Sequence, residues 1–162
     1  MDHVDRIIAQ WRRERPDLEV GPMELIGRVK RLYQHLSRGM EKNYAAHGLT
    51  ASGFDVLATL RRSGAPYALS PGDLMAATMV TSGTMTNRID QLVKEGQVER
   101  IRNESDKRSF LISLTPKGRT LIDKVLLDHV ATQQELVAGL SEGEREELNG
   151  LLRVFLSGFE EG

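Results

Sequence analysis

The sequence predicts a mainly α-helical protein with one small β-hairpin, arranged as a winged helix-turn-helix with long helices before and after it. Three observations indicate this class. Two short helical patterns lie a few residues apart, over 71–78 and 83–95, which is typical of a helix-turn-helix. Two β-prone segments follow directly, over 97–102 and 109–114. Amphipathic patterns flank this lobe, and 162 residues suit a single domain over 1–162.

Three helices are predicted before the helix-turn-helix. Apolar residues recur at helical spacing over 2–15, which predicts an extra N-terminal helix that Pro16 ends. A long helix with one apolar stripe is expected over 22–47, and Gly48 is expected to cap its C-terminal end. Thr50 is then placed to cap the third helix, because its hydroxyl can accept a bond from a free N–H of the first turn.

Cap residues also mark the helix-turn-helix. Ser70 is expected to cap its first helix, and Pro71 occupies the first helical position, where an N–H is not needed. Thr81 or Ser82 is expected to cap the second helix, which Gly96 ends. Two short helices with so brief a turn between them are expected to pack as one DNA-reading unit.

The hairpin, or wing, has the polar segment 103–108 at its tip. The segment 115–118 (Thr-Pro-Lys-Gly) repeats the pattern of a cap followed by proline and starts a long helix. A last helix is expected to begin near Ser141, so that 119–160 is the C-terminal helical part. The winged helix-turn-helix lobe is therefore expected to cover 50–114.

Composition excludes several classes of protein. The formal net charge is −1 and there is no cysteine, so disulfides, thiolate nucleophiles and cysteine-based metal sites are excluded. The chain has no apolar run of the length that crosses a bilayer and no signal-peptide pattern at its start, so we expect a cytoplasmic protein that does not enter membranes.

Enzymatic motifs are also missing from the sequence. There is no G-x-S-x-G motif and no glycine-rich phosphate loop, so we expect a protein that is not an enzyme and needs no cofactor. The histidines lack the close spacing of metal ligands, so no metal site is expected; they are His3, His35, His47 and His129.

The start of the second helix carries the candidate DNA-reading residues. An α-helix fits the major groove of DNA, and its N-terminal side chains reach the edges of the bases. Short hydrogen-bonding side chains and one arginine are concentrated in its first two turns, namely Ser82, Thr84, Thr86, Asn87 and Arg88. A solvated helix start would also account for these residues, but the hairpin directly after them favours DNA binding.

The wing tip adds Lys107 and Arg108 to the candidate DNA-binding residues. An arginine on a thin hairpin can enter a narrow minor groove, where the potential is most negative. Asp106 would instead orient Arg108 or cap the turn. A solvated turn is the alternative, and a winged helix that binds protein rather than DNA is the alternative function.

With these motifs the chain resembles the MarR family of transcriptional regulators over residues 22–160. The resemblance rests on Gly53–Leu57, the helix-turn-helix from Leu69, Asp106–Arg108 and Leu114–Gly118. It implies an obligate homodimer, built by the helices over 22–47 and 119–160, that binds a palindromic operator in double-stranded DNA. It also implies a regulator, expected here to be a repressor, that a small molecule releases from DNA.

Four further residues resemble the urate-responsive subgroup of that family: Trp11, Asp55, Arg88 and Arg100. The resemblance implies a purine pocket, with urate or xanthine as the effector. Indole provides a stacking face for a flat ring, and guanidinium groups neutralise and bind an anion. Core packing of the indole, a structural ion pair of Asp55 with Arg88, and a phosphate contact by Arg100 are the alternatives. A phenolic or other aromatic anion is the alternative effector.

Overall fold

The computed structural model describes residues 1–78, 82–104, 106 and 108–160, without the side chains of 82–84. This part of the chain forms seven helices and three strands: α1 (His3–Glu14), α2 (Gly21–Ala46), α3 (Ala51–Arg62), β1 (Ala68–Leu69), α4 (Pro71–Ala77), α5 (Ser82–Lys94), β2 (Val98–Arg102), β3 (Phe110–Leu114), α6 (Pro116–Leu136) and α7 (Glu142–Glu160). They belong to two compact units, Met1–Gly39 and Met40–Gly162, and the boundary falls within α2.

The first unit consists of α1 and most of α2. Asp2 caps α1 by accepting a bond from the N–H of Asp5, and Val4 and Ile8 are buried on the face toward α2. Gly27 permits this close packing, because a Cβ at that position would meet Cγ1 of Val4 at 3.2 Å. The extra N-terminal helix that the sequence predicts is therefore present.

The second unit has a core shared by α3, α4, α5, α6 and the sheet. The predicted caps are confirmed, because the hydroxyls of Thr50, Ser70 and Thr115 each accept a bond from the N–H three residues on. Gly48 adopts φ +71°, as expected at the end of α2. The core side chains exposed by less than 2% of their surface include Val56, Leu57, Leu60, Leu74, Leu92, Ile112, Ile122 and Val125.

The sheet has three antiparallel strands in the order β1-β3-β2. The predicted wing is confirmed, with Arg100 opposite Ile112 and Arg102 opposite Phe110. The sequence predicted only this hairpin, and β1 is an addition that pairs Ala68 with Ser113. A strand of two residues is too short to show an alternating pattern, so its existence depends on the free edge of β3.

The start of α6 packs tightly against the residue before β2. A Cβ on Gly118 would lie 1.8 Å from the carbonyl oxygen of Gln97. The N–H of Thr115 donates to that oxygen at 3.2 Å, and its hydroxyl donates to the carbonyl of Gly96 at 2.8 Å. Only a glycine therefore fits where the wing leads into the C-terminal helices.

Apolar side chains remain exposed along three long helices. On α2, the apolar stripe that the sequence predicts is buried only in part, and on α6 Leu127 and Val130 are 73% and 49% exposed. None of the described residues of α7 is buried, and its exposed apolar residues are Leu148, Leu151, Leu152, Val154, Phe155, Leu156 and Phe159. Among the described residues, no helix is both long and apolar enough to cross a bilayer.

Candidate DNA-binding and effector sites

The helix α5 presents one polar face to solvent. Met85, Ile89 and Leu92 are buried, whereas Thr86 and Asn87 are exposed. The turn of 3.6 residues produces this separation, since positions 85, 89 and 92 share one side of the helix. Thr86 and Asn87 are thus free to reach an external partner. Ser82 and Thr84 lie in the first turn of α5, but their side chains fall outside the described part, as does Thr81.

Arg88 differs from the other candidate DNA-reading residues. Its side chain is half-buried, and its Cδ lies 3.6 Å from the position that a Cβ on Gly53 of α3 would take. Its Nε is buried and has no hydrogen-bond partner among the described residues. A buried donor without an acceptor costs roughly 1–3 kcal/mol. The Arg88 side chain therefore packs toward α3 and leaves a buried donor available to an incoming acceptor.

The wing tip is organised by Asp106. Its Oδ1 accepts a bond from the N–H of Arg108 at 3.0 Å, and its carbonyl oxygen accepts one from the N–H of Ser109 at 2.9 Å. Of its two expected roles, Asp106 therefore performs the capping of the turn. The Arg108 side chain is exposed, and Lys107 falls outside the described residues.

Arg100 connects the wing to α5. Its Nη2 donates to Oδ1 of Asp90 at 2.5 Å, and its guanidinium lies 5.7 Å from the centre of the Phe110 ring. This ion pair is exposed, with 38% and 57% of the two side chains accessible, so its contribution to stability is small. The pair links β2 to the outer part of α5.

Asp55 lies half-buried on α3 beside a cluster of aromatic side chains. The Phe54 ring stacks on the rings of Tyr44 and His129, with centroid distances of 4.4 and 4.6 Å, and the Tyr44 and His129 rings lie 5.9 Å apart. Burial raises the pKa of Tyr44, and the charge of Asp55 raises it further. Burial lowers the pKa of His129. The charge of Asp55 is therefore felt inside the lobe.

Trp11 lies in the first unit and is 42% exposed, so it is not a fully buried core residue. It lines an open groove of about 270 Å³ between α1 and α2. Ile7 and Met23 add apolar surface to this groove, and Lys30 and Arg31 add positive charge.

The four residues expected to bind the effector are divided between the two units. Trp11 belongs to the first, and Asp55, Arg88 and Arg100 belong to the second. The sequence analysis did not identify Asp90 as the partner of Arg100. The signal available was a carboxylate on the helix that directly precedes the strand carrying the arginine. It also missed Lys30 and Arg31, which lie three and four residues after Gly27 on one helix face. No group of three potential metal-ligating residues occurs in the described part of the chain.

Known proteins resemble this chain in sequence and in structure. A model described as the MarR family matches residues 49–110. The HTH-type transcriptional regulator PecS of Dickeya dadantii is 42% identical over 149 residues, which are 92% of this chain and 90% of PecS. This similarity includes most of the residues outside the winged lobe.

Two solved structures share the fold. A mutant of Escherichia coli MarR complexed with operator DNA has a TM-score of 0.71 and 27% identity, covering 90% of this chain and 97% of that chain. The structure of Bordetella bronchiseptica BpsR, whose DNA binding is regulated by 6-hydroxynicotinic acid, has a TM-score of 0.70 and 28% identity. It covers 85% of this chain and 92% of that chain. With the extent of the similarity to PecS, these findings show that the chain belongs to the MarR family of transcriptional regulators.

Proposed function

We propose that this protein is a repressor that binds a palindromic operator and is released by a small planar anion. The observation that carries DNA binding is the exposed pair Thr86 and Asn87 on α5, next to a wing whose Arg108 is also exposed. The two elements supply a base-reading helix and a cation for the minor groove. The E. coli relative bound to operator DNA supports the same use of this fold.

A homodimer completes the proposal. The apolar surface left exposed on α7 supports it, because a contiguous face containing Leu151, Phe155 and Phe159 is typical of an interaction surface. A two-fold dimer would present two recognition helices about 34–36 Å apart, one helical turn of DNA. The operator should therefore be a dyad with half-sites at that spacing.

Fluorescence anisotropy with a labelled DNA duplex tests DNA binding. The duplex carries the inverted repeat nearest to the gene that encodes this protein. Affinity should fall steeply with salt, because phosphate contacts release counterions. Asn87→Ala should reduce the discrimination between bases at one operator position by about 1–3 kcal/mol of binding free energy. Arg108→Ala should weaken binding and reduce the salt slope by about 1. Lys124→Ala removes one positive charge from α6 and is the control. It should change neither the affinity for the operator nor the salt dependence of that affinity.

Salt-insensitive binding, or binding that is equal for Asn87→Ala and the parent on every sequence, would refute the DNA-binding proposal. Such a result would favour the alternative of a winged helix that binds protein. The exposed cation at the wing tip supports DNA as the partner, since a protein ligand has no general requirement for it.

Urate or a related purine such as xanthine is the proposed effector. Trp11 would stack on the flat ring, and Arg88 and Arg100 would neutralise its charge. The buried Nε of Arg88 supports this role, because an acceptor on the effector would satisfy it. Asp55 would respond to the added negative charge, and a coupling of about 1–3 kcal/mol would change DNA affinity roughly 5–150-fold.

An aromatic carboxylate is the second candidate effector. The BpsR relative favours it, because 6-hydroxynicotinic acid regulates the DNA binding of that protein. Both candidates are small, flat and anionic, so the same stacking face and cations suit them. Their relative affinities decide between them.

Tryptophan fluorescence tests the effector directly, because Trp11 is the single tryptophan. Urate should quench it and release DNA, and Trp11→Phe should abolish the signal. Arg100→Ala should raise the urate concentration needed for half-release, and Asp55→Asn should reduce the extent of release. If an aromatic carboxylate acts at lower concentration than urate and xanthine, the purine assignment is wrong. If no flat anion quenches at millimolar concentration, the effector proposal fails altogether.

A further inference from the structure

The groove between α1 and α2 lies entirely within the first unit. Its wall includes Trp11, and Ile7 and Met23 supply further apolar surface. Val4 and Ile8 are buried beneath it. Its volume of about 270 Å³ is slightly below the usual range for ligand pockets. The groove therefore suits a compact ring system rather than a long peptide.

The negative charges of this unit are already engaged. Asp2, Asp5 and Glu24 all contact Arg28, with distances of 2.8 Å for Asp2 and 2.9 Å for Glu24. The other three carboxylates bond elsewhere: Glu14 to Arg13, Asp17 to Arg15 and Glu19 to the N–H of Gly21. None of these six carboxylates forms an ion pair with Lys30 or Arg31.

Lys30 and Arg31 are the cations of the groove that this arrangement leaves without an ion pair to the described residues. Both are exposed, and both line the groove on the same face of α2 as Gly27 and Gln34. Two cations beside an apolar wall with an indole face are complementary to a flat anion, which would gain both stacking and charge neutralisation.

We propose that this groove binds the planar anion, with Lys30 and Arg31 as anion-binding residues beside the stacking face of Trp11. The inference rests on the proposed function, which supplies urate as the probe. It assigns two anion-binding cations to the first unit, beside Trp11. A second copy of the chain covering the same groove is the competing occupant.

Urate titrations of the full chain, followed by Trp11 fluorescence, test the inference. Lys30→Gln and Arg31→Gln should each raise the Kd for urate at least fivefold, and the double variant at least 25-fold. Arg31→Lys should keep most of the affinity, because it keeps the charge. Arg38→Gln removes a charge from the same helix away from the groove and should leave the Kd within twofold of the parent.

Two results would overturn the inference while leaving the effector proposal standing. In the first, urate quenches the parent and the double variant with equal Kd. In the second, the double variant changes the sedimentation mass, which would show that a second copy covers the groove. If urate neither quenches the parent nor releases its DNA, the effector proposal fails and the inference fails with it. Equal melting temperatures and circular dichroism spectra show that the variants remain folded.

Discussion

Replacement of Gly118 by alanine tests the tight contact between α6 and the residue before β2. The new Cβ would lie 1.8 Å from the carbonyl oxygen of Gln97 and 2.8 Å from its carbonyl carbon. An ordinary contact is 3.4 Å or more, so the backbones must separate by about 1.6 Å. Both neighbours are backbone atoms, and no side-chain rotation can relieve the clash.

The cost of Gly118→Ala follows from that separation. The bonds of Thr115 to Gly96 and Gln97 would stretch or break, at about 1 kcal/mol each. Disturbed packing of the core adds about 1–3 kcal/mol. We expect the free energy of unfolding to fall by about 3 kcal/mol or more, which lowers the Tm by roughly 10 °C.

Urea unfolding at a fixed protomer concentration, followed by circular dichroism, measures this loss. Gly150→Ala is the matched control. It lies within α7 with nothing within 4 Å of its Cβ position, and it should stabilise the helix by about 0.5–1 kcal/mol. If Gly118→Ala unfolds within 1 kcal/mol of the parent, the contact does not constrain the sequence as argued.

Two further predictions concern ionisable groups. Burial lowers the pKa of His129 below its ordinary 6.5, so the unfolded chain binds that proton more readily and stability should fall as the pH drops through 6.5. His129→Phe keeps the stacked ring and should weaken this dependence between pH 7.5 and 5.5 in urea midpoints; an unchanged slope would contradict the assignment. Arg28→Ala should speed hydrogen exchange of α1 amides several-fold relative to those of α6, because three carboxylates lose their common partner. The pKa of Asp2 is lowered to about 2, so the protonation of this carboxyl should loosen α1 of the parent as the pH falls from about 4 toward 2. If the α1 amides keep the same protection from hydrogen exchange down to pH 2, the ion-pair network does not hold α1 in place.

Local signals in the sequence were sufficient for most of the fold. Ser70 with Pro71, and Thr115 with Pro116, mark helix starts because a cap and a fixed φ act within one turn. The strand β1 was not predictable in this way. It forms because β3 is free to pair with Ala68 and Leu69, and that partner is more than 40 residues away in the sequence.

The sequence predicted which residue types form the candidate sites, but not which of their side chains are exposed. Thr86 and Arg88 belong to the same polar helix start, yet the first is exposed and the second is half-buried against α3. Arg88 is half-buried because it lies next to the buried side of α5, where α3 packs against it. The sequence of α5 alone does not show which element packs there. The apolar stripe predicted over 22–47 was equally ambiguous, because a core face and an interface have the same periodicity.

The link between Arg100 and Asp90 has a consequence for operator architecture. It joins the strand that leads to the wing tip with α5, and Leu92 of α5 packs in the same buried core as Val98 of that strand. The residues that would contact the major and minor grooves therefore keep a set offset within one lobe. Inserting one base pair between the two contact zones of a half-site should abolish recognition by the wing. The shared core of each lobe would thus set the length of one recognised half-site, and the two-fold dimer proposed above would set the spacing between the two half-sites.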